Sequence, residues 1–197
     1  MPLRIRSSVR SSASRRGRRQ RGVELIEFTL VLLPLLGFTF LVVDLGWAVF
    51  KRATLQYAVR EGCRYAVTNQ TQSLTDTNGN AYGVIDSIKW VVQERAEGLL
   101  GHKTTDPGYS LIQVRYYNPD SSLTTALTLP TDCATNTGQP PNWSGNLVEV
   151  SVENFSASPL APLLRSASPL MFTARSSDRV EGNPPTGVPL TFNGTCP

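Results

Sequence analysis

Two carboxylates, Glu24 and Glu27, stand at the head of a run from Phe28 to Val43 that contains no charge, directly behind the basic segment Arg18-Arg19-Gln20-Arg21-Gly22. A carboxylate inside a bilayer costs a few kcal/mol and is usually paired or functional. Glu24 lies at the interface, where water reaches it, whereas Glu27 is a full turn deeper on a helix that would begin at Val23. A cut between Gly22 and Val23 would create the missing partner. It exposes a new α-amino group, whose ordinary pKa near 8 keeps it mostly charged at neutral pH. That ammonium is a natural partner for Glu27, on its own helix or on a neighbouring one. The chemistry these residues offer is therefore removal of a leader at Gly22 and Val23, followed by ion pairing at Glu27.

No second reactive set is found along the chain. His102 is the only histidine, so Ser-His-Asp or Cys-His catalysis would have to centre on it, and no Gly-x-Ser-x-Gly elbow is present to help. Gly98-Leu99-Leu100-Gly101-His102-Lys103-Thr104 lacks the spacing of a phosphate loop and the Gly before Lys, and it sits at the wrong end of a helix for an anion. No Cys or His pair has metal-ligand spacing. The expectation is a protein that is not an enzyme, with no catalytic residue, no metal, no cofactor and no small-molecule substrate.

The element that must position Glu27 is a membrane helix. A helix rises about 1.5 Å per residue and the hydrocarbon core is about 30 Å thick, so roughly 20 apolar residues are needed to cross it. Extending the run to Phe50 takes in only Asp44, which places the span at about residues 28–50. Asp44 lies some 32 Å along the helix from Val23, at the far edge of the hydrocarbon, and reads as an interface residue beside Trp47. The formal net charge of +4 is unevenly spread: all eight charges before Gly22 are Arg, and from Val23 onward eleven Lys and Arg face fifteen Asp and Glu. Lys and Arg stay on the cytoplasmic side of a first helix, so the leader faces inward and everything after Lys51 outward. The same Arg cluster could in principle bind nucleic acid, but adjacency to the span favours orientation and anionic-lipid contact.

Three readings of this N-terminus compete. A secretory signal peptide would have a shorter apolar core ending in a small-x-small cleavage site, and no Ala-x-Ala lies near the end of this one. A plain uncleaved anchor fits length and charge equally well and leaves Glu24 and Glu27 unexplained. A clipped, inserted and assembled helix accounts for all of these residues.

The junction resembles the type IVb prepilins and, within them, the TadE-like minor pseudopilins of tight-adherence (Flp) pilus systems. Such prepilins are cut after a Gly at the cytoplasmic face and carry Glu at the fifth mature position and often an aromatic at the sixth; the matching residues are Gly22, Glu27 and Phe28. The resemblance continues through Leu33-Pro34-Leu35-Leu36, Val43-Asp44-Leu45-Gly46 and the block from Gln56 to Ala66. It implies a prepilin peptidase and other pilins or pilus assembly proteins as partners. It also implies a single span in the inner (cytoplasmic) membrane, with the C-terminal domain periplasmic or extracellular, or incorporated in the pilus. The runner-up is an uncleaved, membrane-anchored envelope protein with an exported protein-binding domain.

Beyond the span, Leu55, Ala58, Val59, Gly62, Cys63 and Ala66 recur at three- and four-residue spacings, so the helix continues to about Val67 with an apolar stripe for packing. Pro34 removes one backbone donor inside it and predicts a kink. The remainder reads as an α+β domain: a loop over Asn69–Gly83 with a turn at Asn78-Gly79, an amphipathic helix over Val84–Leu100, and strands at Leu111–Tyr117, Leu147–Phe155 and Phe172–Ser176. Val148, Val150 and Val152 face the core in the second strand, opposite Glu149, Ser151 and Glu153. A Pro- and Ser-rich connection at Ser156–Pro169 leaves room for a short helical turn. The expected organisation is a cleaved basic leader (1–22), a long N-terminal helix (23–68) and an exported domain (69–197), pilin-like, with a second helix on a three-stranded antiparallel sheet. Cys133 and Cys196 lie in loop-like surroundings, and an oxidising compartment permits a bridge between them; three unpaired thiols, Cys63 included, is the alternative that spacing leaves open.

Overall fold

The computed structural model describes residues 16–75, 79, 81–120, 123–128, 140–158, 169–184 and 190, with side chains from Gly22 onward. Among these residues three helices and three strands follow one another as α1 (Arg16–Val67), α2 (Val84–Arg95), α3 (Pro107–Leu111), β1 (Ile112–Tyr117), β2 (Leu147–Ala157) and β3 (Leu170–Arg179). This is the expected α+β order with one short helix added. The chain divides into two compact units, Met1–Asp44 and Leu45–Pro197, and α1 contributes to both.

In the first unit α1 is a bare apolar rod. It is the one helix among the described residues long and apolar enough to cross a membrane, and none of its apolar window is buried. A core helix of a soluble protein would hide such a window; here Ile26, Leu30, Leu33 and Phe38 are 66–71% exposed. Thr29 and Thr39 donate their hydroxyls to the Leu25 and Leu35 carbonyls at 2.7 and 2.9 Å, so each polar group is satisfied within its own helix, as a lipid environment requires. The helix runs on through Pro34.

In the second unit the same helix changes character because its stripe meets partners. Leu55, Ala58, Val59, Cys63 and Ala66 are fully or almost fully buried and join Ile88 and Val92 of α2 and the inward-facing residues of the sheet in one core. The three strands form an antiparallel sheet in the order β1-β2-β3. Ile112, Val114 and Tyr116 lie opposite Val152, Val150 and Val148, and Ala174 lies opposite Val152 on the other side, followed by Ser176 and Asp178 opposite Val150 and Val148, so the helix-covered face is apolar across β1 and β2 and turns polar along β3. Gly62 lets α1 come close: a Cβ there would collide with the Val92 side chain and touch Val150.

β2 carries one residue more than β3 between Val152 and Phe155, a bulge with Asn154 at φ 57°, which ends the strict alternation. The outer face is polar. Arg115 bridges Glu149 at 3.5 Å and Glu153 at 2.6 Å, and Arg175 reaches the same Glu153 at 3.2 Å. Ser151, under this lattice, is wholly buried and donates to Glu153 at 3.2 Å.

α1 ends on a buried clasp. Asn69 adopts φ 52° just past the helix, the left-handed stop for which Asn is the commonest choice after Gly. Its side chain donates to the carbonyls of Asn142 (2.8 Å) and Gly182 (2.6 Å) and accepts from Asn142 Nδ2 at 3.0 Å. The amides of Glu181 and Gly182 both donate to the Val67 carbonyl at 3.0 Å.

Several boundaries differ from expectation: β2 runs on to Ala157, and β3 covers Leu170–Arg179 where Phe172–Ser176 was expected. Among the described residues α1 is already helical at Arg16, as nothing at Gly22 stops a helix that is still intact. α2 ends at Arg95 instead of Leu100, since Glu97 and Gly98 take φ 51° and 79°; Leu100 is buried all the same, reaching the core from the turn. The Asn78 half of the predicted turn, the helical turn within Ser156–Pro169 and both Cys133 and Cys196 lie outside the described residues. Cys63 is free and buried.

Candidate functional site

The residues proposed for processing and assembly lie on the exposed rod. Val23 and Phe28 are 63% and 64% exposed, and Glu24 and Glu27 are likewise exposed. Val23 and Glu27 are four residues apart, so they share one side of the helix a single turn from each other. With the chain uncut, the Val23 nitrogen is an amide inside α1 and carries no charge. Among the described residues Glu27 makes no ion pair and no hydrogen bond. Beside it Leu25, Ile26, Thr29, Leu30 and Leu33 line a shallow apolar groove, the kind of surface into which a second helix or an acyl chain packs.

At the other end of the apolar stretch, within the second unit, Trp47 stacks on Phe50 with ring centroids 5.4 Å apart, and the Lys51 ammonium lies 5.2 Å from the Trp47 ring centre. A Trp followed closely by a cation at the end of an apolar run is the pattern found where membrane helices meet water. Asp44, one turn earlier, has interactions of its own.

Two polar sites in the globular unit escaped sequence reasoning. Asp86, Ser87 and Gln93 of α2 are buried. Asp86 accepts from the Gly83 amide at 3.2 Å, the N3 half of a capping box, and from the Tyr109 hydroxyl at 2.6 Å. The Lys89 ammonium sits 4.5 Å over the Tyr109 ring. Burial, aided by the Asp86 carboxylate, pushes the Tyr109 phenol far up, and burial pulls Lys89 down against the opposing pull of Asp86. Gln93 donates to the Leu100 and Lys103 carbonyls, each at 3.1 Å. These contacts fasten α3 and the turn before it to α2; only the Asp three residues into the helix was a sequence signal for them.

A second cleft, of about 530 Å³, opens where Glu61, Arg64 and Tyr65 of α1 approach Trp90, Glu94 and Arg95 of α2. His102 stands 3.6 Å from Glu94 with both exposed, and among the described residues no serine or cysteine side chain is hydrogen-bonded to it. Among the described residues no group of three His, Cys, Asp or Glu could hold a metal ion.

Among the described residues, an exposed carboxylate thus stands one turn from a potential amine on an unburied apolar helix. Residues 22–64 match the family model described as TadE-like protein. The N-terminal helix is TadE-like. The TadE-like segment opens at the expected cut site, contains Glu27, Phe28, Pro34 and Asp44, and closes at Arg64, before α1 ends. It connects the chain with pilus-related structural proteins and leaves the sheet outside the match. No curated protein and no solved structure matches the chain.

Proposed function

We propose that this chain is a minor pseudopilin that takes part in assembling a tight-adherence (Flp, type IVb) pilus after a prepilin peptidase cuts it behind Gly22. The observation that carries this reading is Glu27: an exposed carboxylate on an unburied apolar helix, one turn from Val23, inside the TadE-like segment. Before the cut it has no cation in reach among the described residues. After the cut the Val23 ammonium becomes the head of the helix, where the backbone dipole also favours negative charge. The pair offsets the cost of burying Glu27 among other helices, and the first turns become competent to pack against neighbouring pilins. The leader stays on the cytoplasmic side of the inner membrane, and the second unit is exported, where it meets other pilus components.

Intact mass of the protein recovered from membranes containing the peptidase tests the first step. The expected species lacks residues 1–22; full retention of the leader would overturn the reading in favour of an uncleaved, anchored envelope protein. Glu27→Ala is expected to leave cleavage intact and reduce piliation, because the carboxylate acts after the cut. Normal pilus numbers in that variant would remove the role given to Glu27.

A further inference from the structure

The cleft of about 530 Å³ between the end of α1 and α2 has the size of a small-molecule site. Seven of the ten residues that line it are polar, so an apolar ligand would strip them of water and give nothing back. Glu61 and Glu94 stand against Arg64 and Arg95, a formal charge of zero. A free phosphate, a nucleic-acid strand or a polybasic segment would therefore meet as much repulsion as attraction. Trp90 is partly buried in the wall. Among the described residues its ring has no stacking or cation partner and its indole N–H makes no hydrogen bond. The side chains of Gln70 and Arg95, both exposed, likewise make no hydrogen bond within the fold. The cleft thus holds one idle aromatic face inside a rim of donors and acceptors.

We infer that this cleft binds a short neutral saccharide. A pyranose ring has a C–H face that lies flat on an indole and a rim of hydroxyls that both donate and accept. Trp90 supplies the flat face. Around it stand carboxylate acceptors, guanidinium donors and the Gln70 amide, which does both. Planar groups of these kinds can hold two neighbouring hydroxyls at once. Other occupants match the cleft less well. A docked helix, 10–12 Å across, would fill the volume with about one turn. A peptide strand adds to free backbone groups, and α1 and α2 use theirs internally. A lipid headgroup stays within about 5–8 Å of the hydrocarbon, whereas Arg64 lies 13 residues beyond Lys51, about 20 Å along the helix.

The full chain in phosphatidylcholine nanodiscs, free of sugar-based detergent, is titrated with cellotriose, maltotriose and chitotriose, and binding is read by saturation-transfer NMR on the sugar protons. At least one of the three is expected to bind, equally well at about 0.05 and 0.5 M salt because the ligand carries no charge. In the background W47F/W143F, which leaves Trp90 as the one tryptophan, the indole emission should shift as the site fills. Trp90→Ala should abolish binding, and Q70A/R95A should weaken it about tenfold through two lost hydrogen bonds. If Trp90→Ala lacks the wild-type thermal transition, Q70A/R95A decides alone, since its side chains are exposed. No binding of any of the three sugars, or undiminished affinity in either folded variant, would overturn the inference. Binding lost at the higher salt would assign the cleft to a charged ligand and overturn it. An emission shift with a blocked mixed-charge pentapeptide and none with the sugars would assign it to a protein segment, with the same result. The cleft lies wholly within residues 61–95, so these readouts are indifferent to removal of the leader, and a failed pseudopilin reading shows separately in the intact mass.

Discussion

Gly62 shows how much of the fold hangs on a single missing atom. It lies on the buried stripe of α1 where the helix approaches Val92 of α2 and Val150 of β2, and a methyl group there has no space. Gly62→Ala improves intrinsic helix propensity by up to about 1 kcal/mol, but overpacking a filled core costs about 1–3 kcal/mol, and the helix cannot retreat because its far end is clasped by Asn69. The expected outcome is a lower thermal midpoint by circular dichroism in detergent. Combined with Val92→Ala the loss should be smaller than the sum of the two single losses, since the truncated side chain vacates the colliding position. Strict additivity would show that the two residues do not meet. Glu27 makes the complementary point, because its neighbours show no packing reason for a carboxylate. Its spacing from Val23 and its place on an exposed apolar helix were legible in the sequence, for they involve residues one turn apart. The clasp was not: Asn69 reaches partners 73 and 113 residues away, and no local pattern encodes such distances.

Among the elements, the sheet has the clearest dependence on charge. Arg115 holds the Glu153 carboxyl below its usual range, chiefly through their hydrogen bonds; burial opposes this, and the Arg115 charge, Ser151 and Arg175 add to the lowering. A carboxyl lowered in the folded state takes up its proton first in the unfolded chain. The stability it contributes is therefore complete above the ordinary Glu pKa of about 4.3 and is lost as the pH falls through the folded value. Glu153→Gln should melt below wild type at pH 7, with the two curves converging near pH 2; a gap that persists in acid would mean packing, not ionisation, is responsible. The alternation of Val148, Val150 and Val152 predicted β2 and its inward face correctly. It did not reveal that Ser151, on the polar side, is roofed by side chains from β1 and β3. α3 went unseen because five residues are too few for any periodicity, although Asp106-Pro107 is a helix-start signal. α2 was drawn too long because Leu99 and Leu100 continue the apolar rhythm after the backbone has left the helix.

At the scale of the whole molecule, the exposed apolar run of α1 contributes no residue to the buried core. Every core residue lies at or beyond Leu55, so a chain beginning at Lys51 should remain folded without detergent and melt cooperatively near the full-length midpoint. Aggregation or a non-cooperative melt would show that the apolar half of α1 is needed to build the globular unit. The end of α1 and the segment after β3 meet at one place, where the Glu181 and Gly182 amides bond the last carbonyl of α1 and Gly182 packs so tightly on Thr68 that a Cβ would lie 2.5 Å from its carbonyl oxygen. A pull along the helix axis is thus shared: it enters the sheet through that joint and the buried stripe side by side, and not through the single strand of loop that follows Asn69. The joint works as a strain relief, so a tug on the rod must break several bonds together before the 69–83 segment takes up any load.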